Sequence, residues 1–210
     1  MKQNSNRYWD DFYTGGNHLQ IYDCYDNWLD NYTAYFKPDM CVLDLGCGVG
    51  INLPAILKSG TDVVAADFSE TALDIIKTTF SKWRIQTCCF DMRDNFPFFD
   101  DTFDIIVADL SLHYFGKADM RHIVCEMKRV LKQSGALIAR VHSINQIRTA
   151  DCVEIEPGFY YCDGYCRKYF TEREIRDYFS RWKITALEQK TIYRYNQKKE
   201  IFEFTALNTY

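Results

Sequence analysis

Long apolar runs are missing from this 210-residue chain. No stretch approaches the ~18 residues needed to span a bilayer as a helix. The start, Met1 to Asn6, also lacks the apolar core of a secretory signal, so we expect a cytosolic protein without membrane association. Blocks of basic residues are missing too. Lys and Arg number 25 against 29 acids, a net charge of −4, and nothing resembles the basic face that grips a nucleic-acid backbone. A nucleic-acid partner is therefore disfavoured. The nine cysteines include no Cys-x-x-Cys pair. Their odd number and the chain length argue against a disulfide-stapled miniprotein. Cys152, Cys162 and Cys166 with His142 can be drawn as a zinc site, but without such a pair we expect no metal and reduced thiols. Cys41, Cys47, Cys88 and Cys125 lie in apolar patterns, where a thiol behaves as a small hydrophobe.

What the chain does have is 47% hydrophobic and 26% charged residues, the balance of one globular domain with a sizeable core. Residues 1–37 are polar and aromatic. Trp28, Leu29, Tyr32, Tyr35 and Phe36 recur at three- and four-residue spacings, predicting an amphipathic helix ended by Pro38. Strand and helix signals then alternate: strands at 41–45, 63–66, 85–90, 103–108 and 136–141, and helices at 51–58, 71–82 and 118–131. Residues 142–169 lose periodicity. Thr171 and Glu174 form a capping-box pair opening a helix over 171–179. Segments 184–189 and 200–207, joined by a polar link, predict an antiparallel hairpin at a sheet edge. The alternation implies an α/β fold, a single doubly wound Rossmann-like domain with helices on both faces. We divide it into an N-terminal helical cap (1–37), a cofactor-binding core (38–141), an acceptor lid (142–169) and a C-terminal helix and hairpin (170–210).

The most informative stretch is Val42-Leu43-Asp44-Leu45-Gly46-Cys47-Gly48-Val49-Gly50. An apolar strand breaks into alternating glycines, where backbone turns sharply and approaches a ligand closely. A second strand ends at Asp67, about twenty residues on, placed to accept ribose hydroxyls. A nicotinamide loop needs a third glycine where Ile51 stands, so that cofactor is disfavoured. Asp44, ahead of the glycines, suits a ligand with a cationic end. Asp67, Asp91 and Asp109 each close a strand, and ligands of doubly wound sheets bind at those carboxyl ends.

In these residues the chain resembles the class I S-adenosylmethionine-dependent methyltransferases, in particular the type 11 or UbiE-like small-molecule branch. The resemblance runs over residues 8–207 and includes residues 42–50, Ala66-Asp67-Phe68-Ser69, Phe90-Asp91-Met92, residues 100–115 and residues 127–137. Gln133-Ser134 departs from the Pro-Gly usual there. The resemblance implies a seven-stranded sheet with an antiparallel last strand and S-adenosyl-L-methionine as cofactor. Gly46, Cys47 and Gly48 would contact its methionine part, and Asp44 would support the ammonium group. Asp67 would hold the ribose, with Phe68 on the adenine and Asp91 and Met92 at its edge. Asp109 and Leu110 would line the sulfonium side, and Tyr8, Trp9 and Tyr13 would close over the donor.

Transfer from a sulfonium is an in-line displacement whose main demand is alignment in a dry pocket. His113, just past the fourth strand, is the candidate base or acceptor-orienting group, with Tyr114 second. The 142–169 segment offers His142, Arg148, Glu154, Glu156, Phe159, Tyr160, Tyr161 and Tyr165, suiting a small, partly apolar or cationic acceptor. The Asn/Asp-Pro-Pro-Tyr/Phe motif of nucleic-acid amine methyltransferases is absent, since Asp109-Leu110-Ser111-Leu112 carries no proline. The expectation is a methyl transferase acting on a small molecule. An RNA or protein acceptor, or a cofactor-binding regulator without catalysis, stays open. Monomer and homodimer are not distinguished.

Overall fold

The computed structural model describes residues 2–15, 27–146, 152–162, 164–194 and 197–209. Tyr22, Tyr25, Cys24 and Arg148 lie outside the described residues. Helix α1 (Lys2–Thr14) precedes a 3-10 helix (Trp28–Tyr35). The alternating core follows: β1 (Cys41–Leu45), α2 (Leu53–Leu57), β2 (Asp62–Asp67), α3 (Glu70–Thr79), β3 (Ile85–Cys89), β4 (Phe103–Asp109), α4 (Lys117–Val130) and β5 (Leu131–His142). Three short strands come next, β6 (Val153–Glu156), β7 (Phe159–Cys162) and β8 (Tyr165–Lys168), then α5 (Glu172–Tyr178) and the long hairpin β9 (Trp182–Arg194) and β10 (Gln197–Asn208).

Seven strands form one sheet in the order β3-β2-β1-β4-β5-β10-β9. The first five are parallel, and β10 runs antiparallel to both neighbours. The doubly wound sheet with its antiparallel last strand is as expected. Side chains alternate across it, as the pleat requires. Leu43, Leu45, Ile106, Ala108, Leu137 and Ala139 face one core with Ile123, Met127 and Ile175 of the helices. Val42, Val63, Ala65, Ile105, Val107 and Ile138 face the other, against Trp28, Leu29, Leu53, Ile56 and Ile76. Apolar burial on both faces explains why these strands read as nearly continuous hydrophobic runs.

Three expectations need correction. The amphipathic helix predicted over 28–36 is a 3-10 helix, tied down by tertiary bonds. Trp28 Nε1 donates to Asn52 Oδ1 (3.1 Å) and the Tyr32 hydroxyl to Glu203 (2.8 Å). Within 142–169, where the sequence loses periodicity, the described residues include regular strands. Residues 153–168 make a three-stranded antiparallel sheet whose four-residue strands are too short to show a period. Finally, Cys152 and Cys162 are joined in a disulfide linking the approach to β6 with the end of β7, so not all thiols are reduced. That bond also removes two of the four residues that could be drawn around zinc. Among the described residues no helix is long and apolar enough to cross a membrane.

The capping box at Thr171 and Glu174 is present as predicted. At the departure from Pro-Gly, Ser134 takes φ 62°, a left-handed conformation that costs a residue with a Cβ roughly 1 kcal/mol.

Candidate active site

The carboxyl ends of β1, β2, β3, β4 and β5 open into one trough of about 520 Å³. That volume is typical of small-molecule sites. One half lies over the β1–β3 side of the sheet, around the glycine loop. There Gly46 and Cys47 N–H groups both bond to the Ala66 carbonyl (2.8 and 3.0 Å), tying the loop to the end of β2. Gly46 has φ 71°, and a Cβ there would lie 2.4 Å from Ser111 Cβ and 2.8 Å from Met92 Cε. A Cβ at Gly48 (φ 52°) would lie 2.8 Å from the Tyr13 hydroxyl. Both glycines are thus required by backbone conformation and by space.

Asp67 accepts from the backbone N–H groups of Gly48 (2.9 Å) and Ser69 (3.0 Å). A carboxylate accepts about four hydrogen bonds, so capacity for ligand hydroxyls is left. Burial raises its pKa, and those same amides offset part of the rise. Asp91 sits in the trough wall but is bound to Arg93, which reaches it with its backbone N–H (2.9 Å) and its guanidinium. The residue expected at the adenine edge is therefore one arm of an ion pair.

Asp44 does not reach the trough. It is buried two residues ahead of Gly46, with neither carboxylate oxygen within hydrogen-bonding geometry of a partner. Burial, with a smaller push from Asp109, raises its pKa to about 8, and the Asn52 amide relieves this only partly. An orphaned buried carboxylate at the strand end that leads into a glycine cradle fits a ligand that brings a positive charge to that cradle.

Asp109 does not project into the trough as a free acid either. It is bound by Arg140 (2.7 Å from Nε, 3.0 Å from Nη2) and lies 3.5 Å from an Arg194 Nη1. Burial alone would raise its carboxyl, but the two guanidiniums hold it below the ordinary value. Asp109 and Arg140 are register partners on β4 and β5, and Arg140 stacks on Trp28 at 4.3 Å. The next residue, Leu110, takes φ 52° while its N–H bonds to the Arg140 carbonyl (3.0 Å). Backbone in this sparsely populated region turns the chain across the trough, and such strain gathers at functional sites.

The other half of the trough lies over β4, β5 and the hairpin. His113 and His142 are buried there with ring centroids 4.3 Å apart. Neither ring nitrogen of His113 has a hydrogen-bond partner. Burial first, then the cations Arg167, Arg194 and Lys199, and for His113 also the neighbouring His142, push both pKa values well below the usual histidine range. Both rings are neutral at neutral pH. Tyr114 and Tyr165 line the same chamber, and α1 closes it with Tyr8 on Tyr165 (4.7 Å) and Trp9 on Tyr114 (5.3 Å). Helix α1 is anchored to the donor end by the Ser69 hydroxyl, which donates to Asp10 (2.6 Å).

Of the predicted residues, Tyr13, Gly46, Cys47, Gly48, Asp67, Phe68, Asp91, Met92, Asp109, Leu110, His113 and Tyr114 all line the trough, and Asp44 does not. Glu154 and Glu156, expected to face an acceptor, are spent on the backbone N–H groups of Gly158 (2.8 Å) and Lys117 (2.6 Å). Sequence reasoning missed Asn52, Ser111, Arg167, Arg194 and Lys199. Arg140 carried a readable signal, a charge inside the apolar strand Ala136–Val141 that demands a buried partner.

Comparison with known proteins places this geometry in context. Residues 42–135 match the model of a family described as a methyltransferase domain. The chain is 31% identical over 152 residues to the tRNA N(3)-cytidine methyltransferase METTL2 of Danio rerio, covering 66% of this chain and 43% of that protein. It is 35% identical over 98 residues to the demethylmenaquinone methyltransferase of Clavibacter sepedonicus, covering 46% and 39%. The chain thus spans about two-fifths of the length of these curated relatives. In fold it is similar to a SAM-dependent methyltransferase from Methanosarcina mazei, with a TM-score of 0.76, 20% identity, and coverage of 85% of this chain and 97% of that one.

Proposed function

We propose that this chain, which belongs to the class I S-adenosylmethionine-dependent methyltransferases, transfers a methyl group to a small molecule held in the half of the trough over β4, β5 and the hairpin. The observation that carries the reading is the continuity of one trough from the glycine cradle into a chamber roofed by α1. A donor laid along Gly46, Gly48 and Asp67 leaves that chamber as the place for an acceptor.

S-adenosylmethionine supplies the activated methyl as a sulfonium substituent. This chain's residues do the rest. Gly46 and Gly48 keep side chains out of the donor's path, Asp67 offers lone pairs to ribose hydroxyls, and Asp44 supplies negative charge at the strand end that leads into the cradle. Phe68 and Met92 bound the adenine, and Leu110 turns the backbone beside the reacting region. Tyr8, Trp9, Tyr13 and Tyr114 exclude water, which matters because the reaction rests on alignment in a dry site. His113, neutral and unpartnered, is placed to accept a proton from an acceptor or to orient it, with Tyr114 beside it at 4.3 Å between centroids.

A second reading has its own support. METTL2, 31% identical over its match, is by name a tRNA cytidine methyltransferase. An RNA base entering this chamber would have to be flipped out of its strand and passed under α1. Incubation with methyl-labelled donor, a small-molecule fraction of cell extract and total RNA separates the two. Label is expected in the small-molecule fraction. Label confined to RNA would overturn the small-molecule acceptor in favour of the second reading, and no transfer to either would overturn both.

A further inference from the structure

We infer that His142 joins His113 as the polar floor of the acceptor chamber, and that the pair selects an uncharged acceptor whose edge carries an N–H or O–H donor beside a carbonyl-type acceptor. This rests on the chamber assigned above and names the chemistry that it takes.

The two rings come from neighbouring strand ends. Asp109 and Arg140 are register partners on the parallel strands β4 and β5, so the chain beyond each leaves from the same end of the sheet. His113 stands in the 3-10 turn Leu112–Tyr114 that follows β4, and His142 is the last residue of β5. The backbone of His142 is fixed by its register partner Ile201 on β10 and by the Phe170 N–H, which donates to its carbonyl (2.8 Å). The ring centroids lie 4.3 Å apart with the planes inclined at 54°. Tyr114 packs on His113 at 4.3 Å and Tyr169 on His142 at 5.9 Å. Both imidazoles line the trough, and both residues are more than nine-tenths buried, at 1% and 4% exposure.

What the pair lacks is a polar partner. Nδ1 and Nε2 of His113 and Nδ1 of His142 make no hydrogen bond. A buried polar atom left unsatisfied costs about 1–3 kcal/mol, so three in one place call for a role other than packing. A metal ion is not that role, because among the described residues no third His, Cys, Asp or Glu completes a ligand set. A neutral imidazole carries one N–H donor and one lone-pair acceptor. Two of them side by side match a ligand edge that itself offers both, as a lactam, an imide or an enolised ketone does. Burial, with the positive potential of Arg167, Arg194 and Lys199, keeps both rings uncharged and penalises a ligand ammonium in the same place. Methylation of such an edge needs no strong base. The nitrogen or oxygen lone pair forms the new bond to carbon, and the carbon–sulfur bond breaks with its electron pair left on sulfur. The proton shed by the methylated edge passes to an imidazole lone pair and on to solvent. Once the methyl is added that proton is strongly acidic, so even an imidazole of depressed pKa takes it.

The test titrates the protein, saturated with S-adenosylhomocysteine, with three probes sharing one ring: 2-pyridone, 1-methyl-2-pyridone and 1-methylpyridinium. The first offers donor and acceptor, the second an acceptor alone, and the third a cation. 2-Pyridone should bind tenfold or more tightly than its N-methyl form, with the cation weakest. His142→Leu and, separately, His113→Leu should bring the two pyridones within threefold of each other while S-adenosylhomocysteine affinity stays within twofold. His142→Asn, whose amide again offers a donor and an acceptor, should keep the preference above threefold, which a purely structural role would not predict. If the leucine variants fail to fold, wild-type protein labelled with ¹⁵N-histidine reads the contact directly: the ring nitrogens of two of the four histidines should shift on adding 2-pyridone. Equal affinity for the two pyridones, a preference for the cation, unshifted ring nitrogens, or no binding of 2-pyridone at about 10 mM would overturn the inference while the donor site stands. Failure of S-adenosylhomocysteine itself to bind would instead overturn the underlying function, and this inference with it.

Discussion

Asp44 makes a sharp prediction because it is a buried carboxyl with no hydrogen bond and a pKa of about 8. At pH 7 such a group holds its proton about nine-tenths of the time. A ligand ammonium brought to the glycine cradle favours the ionised form, so donor binding should expel that proton. At pH 7 about 0.9 proton should be released per S-adenosylhomocysteine bound. Affinity should rise about 12-fold between pH 6 and pH 7.5 if the bound-state pKa falls to about 6, and toward about 25-fold if it falls well below that. Asp44→Asn removes both effects. It also removes a charge pair that, at a separation of about 6 Å and an effective dielectric of about 20, contributes about 3 kcal/mol. Affinity at pH 7.5 should then fall on the order of 100-fold. The ligand-free protein should respond in the opposite direction. A folded pKa above the unfolded value means the native state binds more protons, so the contribution of Asp44 to stability is greatest below about pH 4 and is lost as pH rises toward 8. The ceiling on that loss at pH 7 is roughly 4 kcal/mol, and Asp44→Asn should recover part of it. Calorimetry in buffers of different ionisation enthalpy counts the protons, and thermal melts read the stability. No proton release by the wild type, or an Asn variant that binds donor as well as the wild type, refutes the reasoning.

Other residues yield narrower tests. Gly46→Ala places a Cβ 2.4 Å from Ser111 Cβ at φ 71° and should abolish donor binding while costing about 1–3 kcal/mol of stability; unchanged calorimetric affinity would contradict the cradle. Arg140→Ala strips Asp109 of its two short bonds and Trp28 of its cation. A buried ion pair broken on one side costs about 3–5 kcal/mol, so the melting temperature should drop by at least about 6 °C. His113 and His142 have folded pKa values below the unfolded one, so the unfolded chain takes up protons first as pH falls below about 6.5. Stability should then decline by about 1.4 kcal/mol per pH unit for each ring, and His113→Gln should remove about half that slope in denaturant titrations. An unaltered slope would place the titration elsewhere.

Much of this arrangement is legible in the residues. Alternating buried faces along Val42–Leu45 and Phe103–Ala108, the glycine loop and the strand-ending acids are local signals, and local signals survive folding. The chamber that receives the acceptor is a different matter. Arg167, Arg194 and Lys199 are separated in sequence and become neighbours only because β10 inserts beside β5 and extends past it. A period of two tells which face a strand residue takes, but not where a hairpin tip hangs. The strands over 153–168 escaped for a related reason. Four residues give no period, and their pairing is set by turns at Gly158 (φ 73°) and Gly164 (φ 93°). The disulfide between Cys152 and Cys162 depends on that pairing, which brings the two thiols together across β6 and β7. Asp44 illustrates a third limit, since sequence marks the acid ahead of the glycines but not whether it lines the cavity or is buried outside it.

The most direct test of the central claim is calorimetric titration of the wild-type chain with S-adenosylhomocysteine and, in parallel, with NAD. One saturable site for S-adenosylhomocysteine, lost in Gly46→Ala, and no binding of NAD is the result predicted here. Binding of NAD in its place, or no heat with S-adenosylhomocysteine at any pH between 6 and 8, would contradict the assignment of the glycine trough.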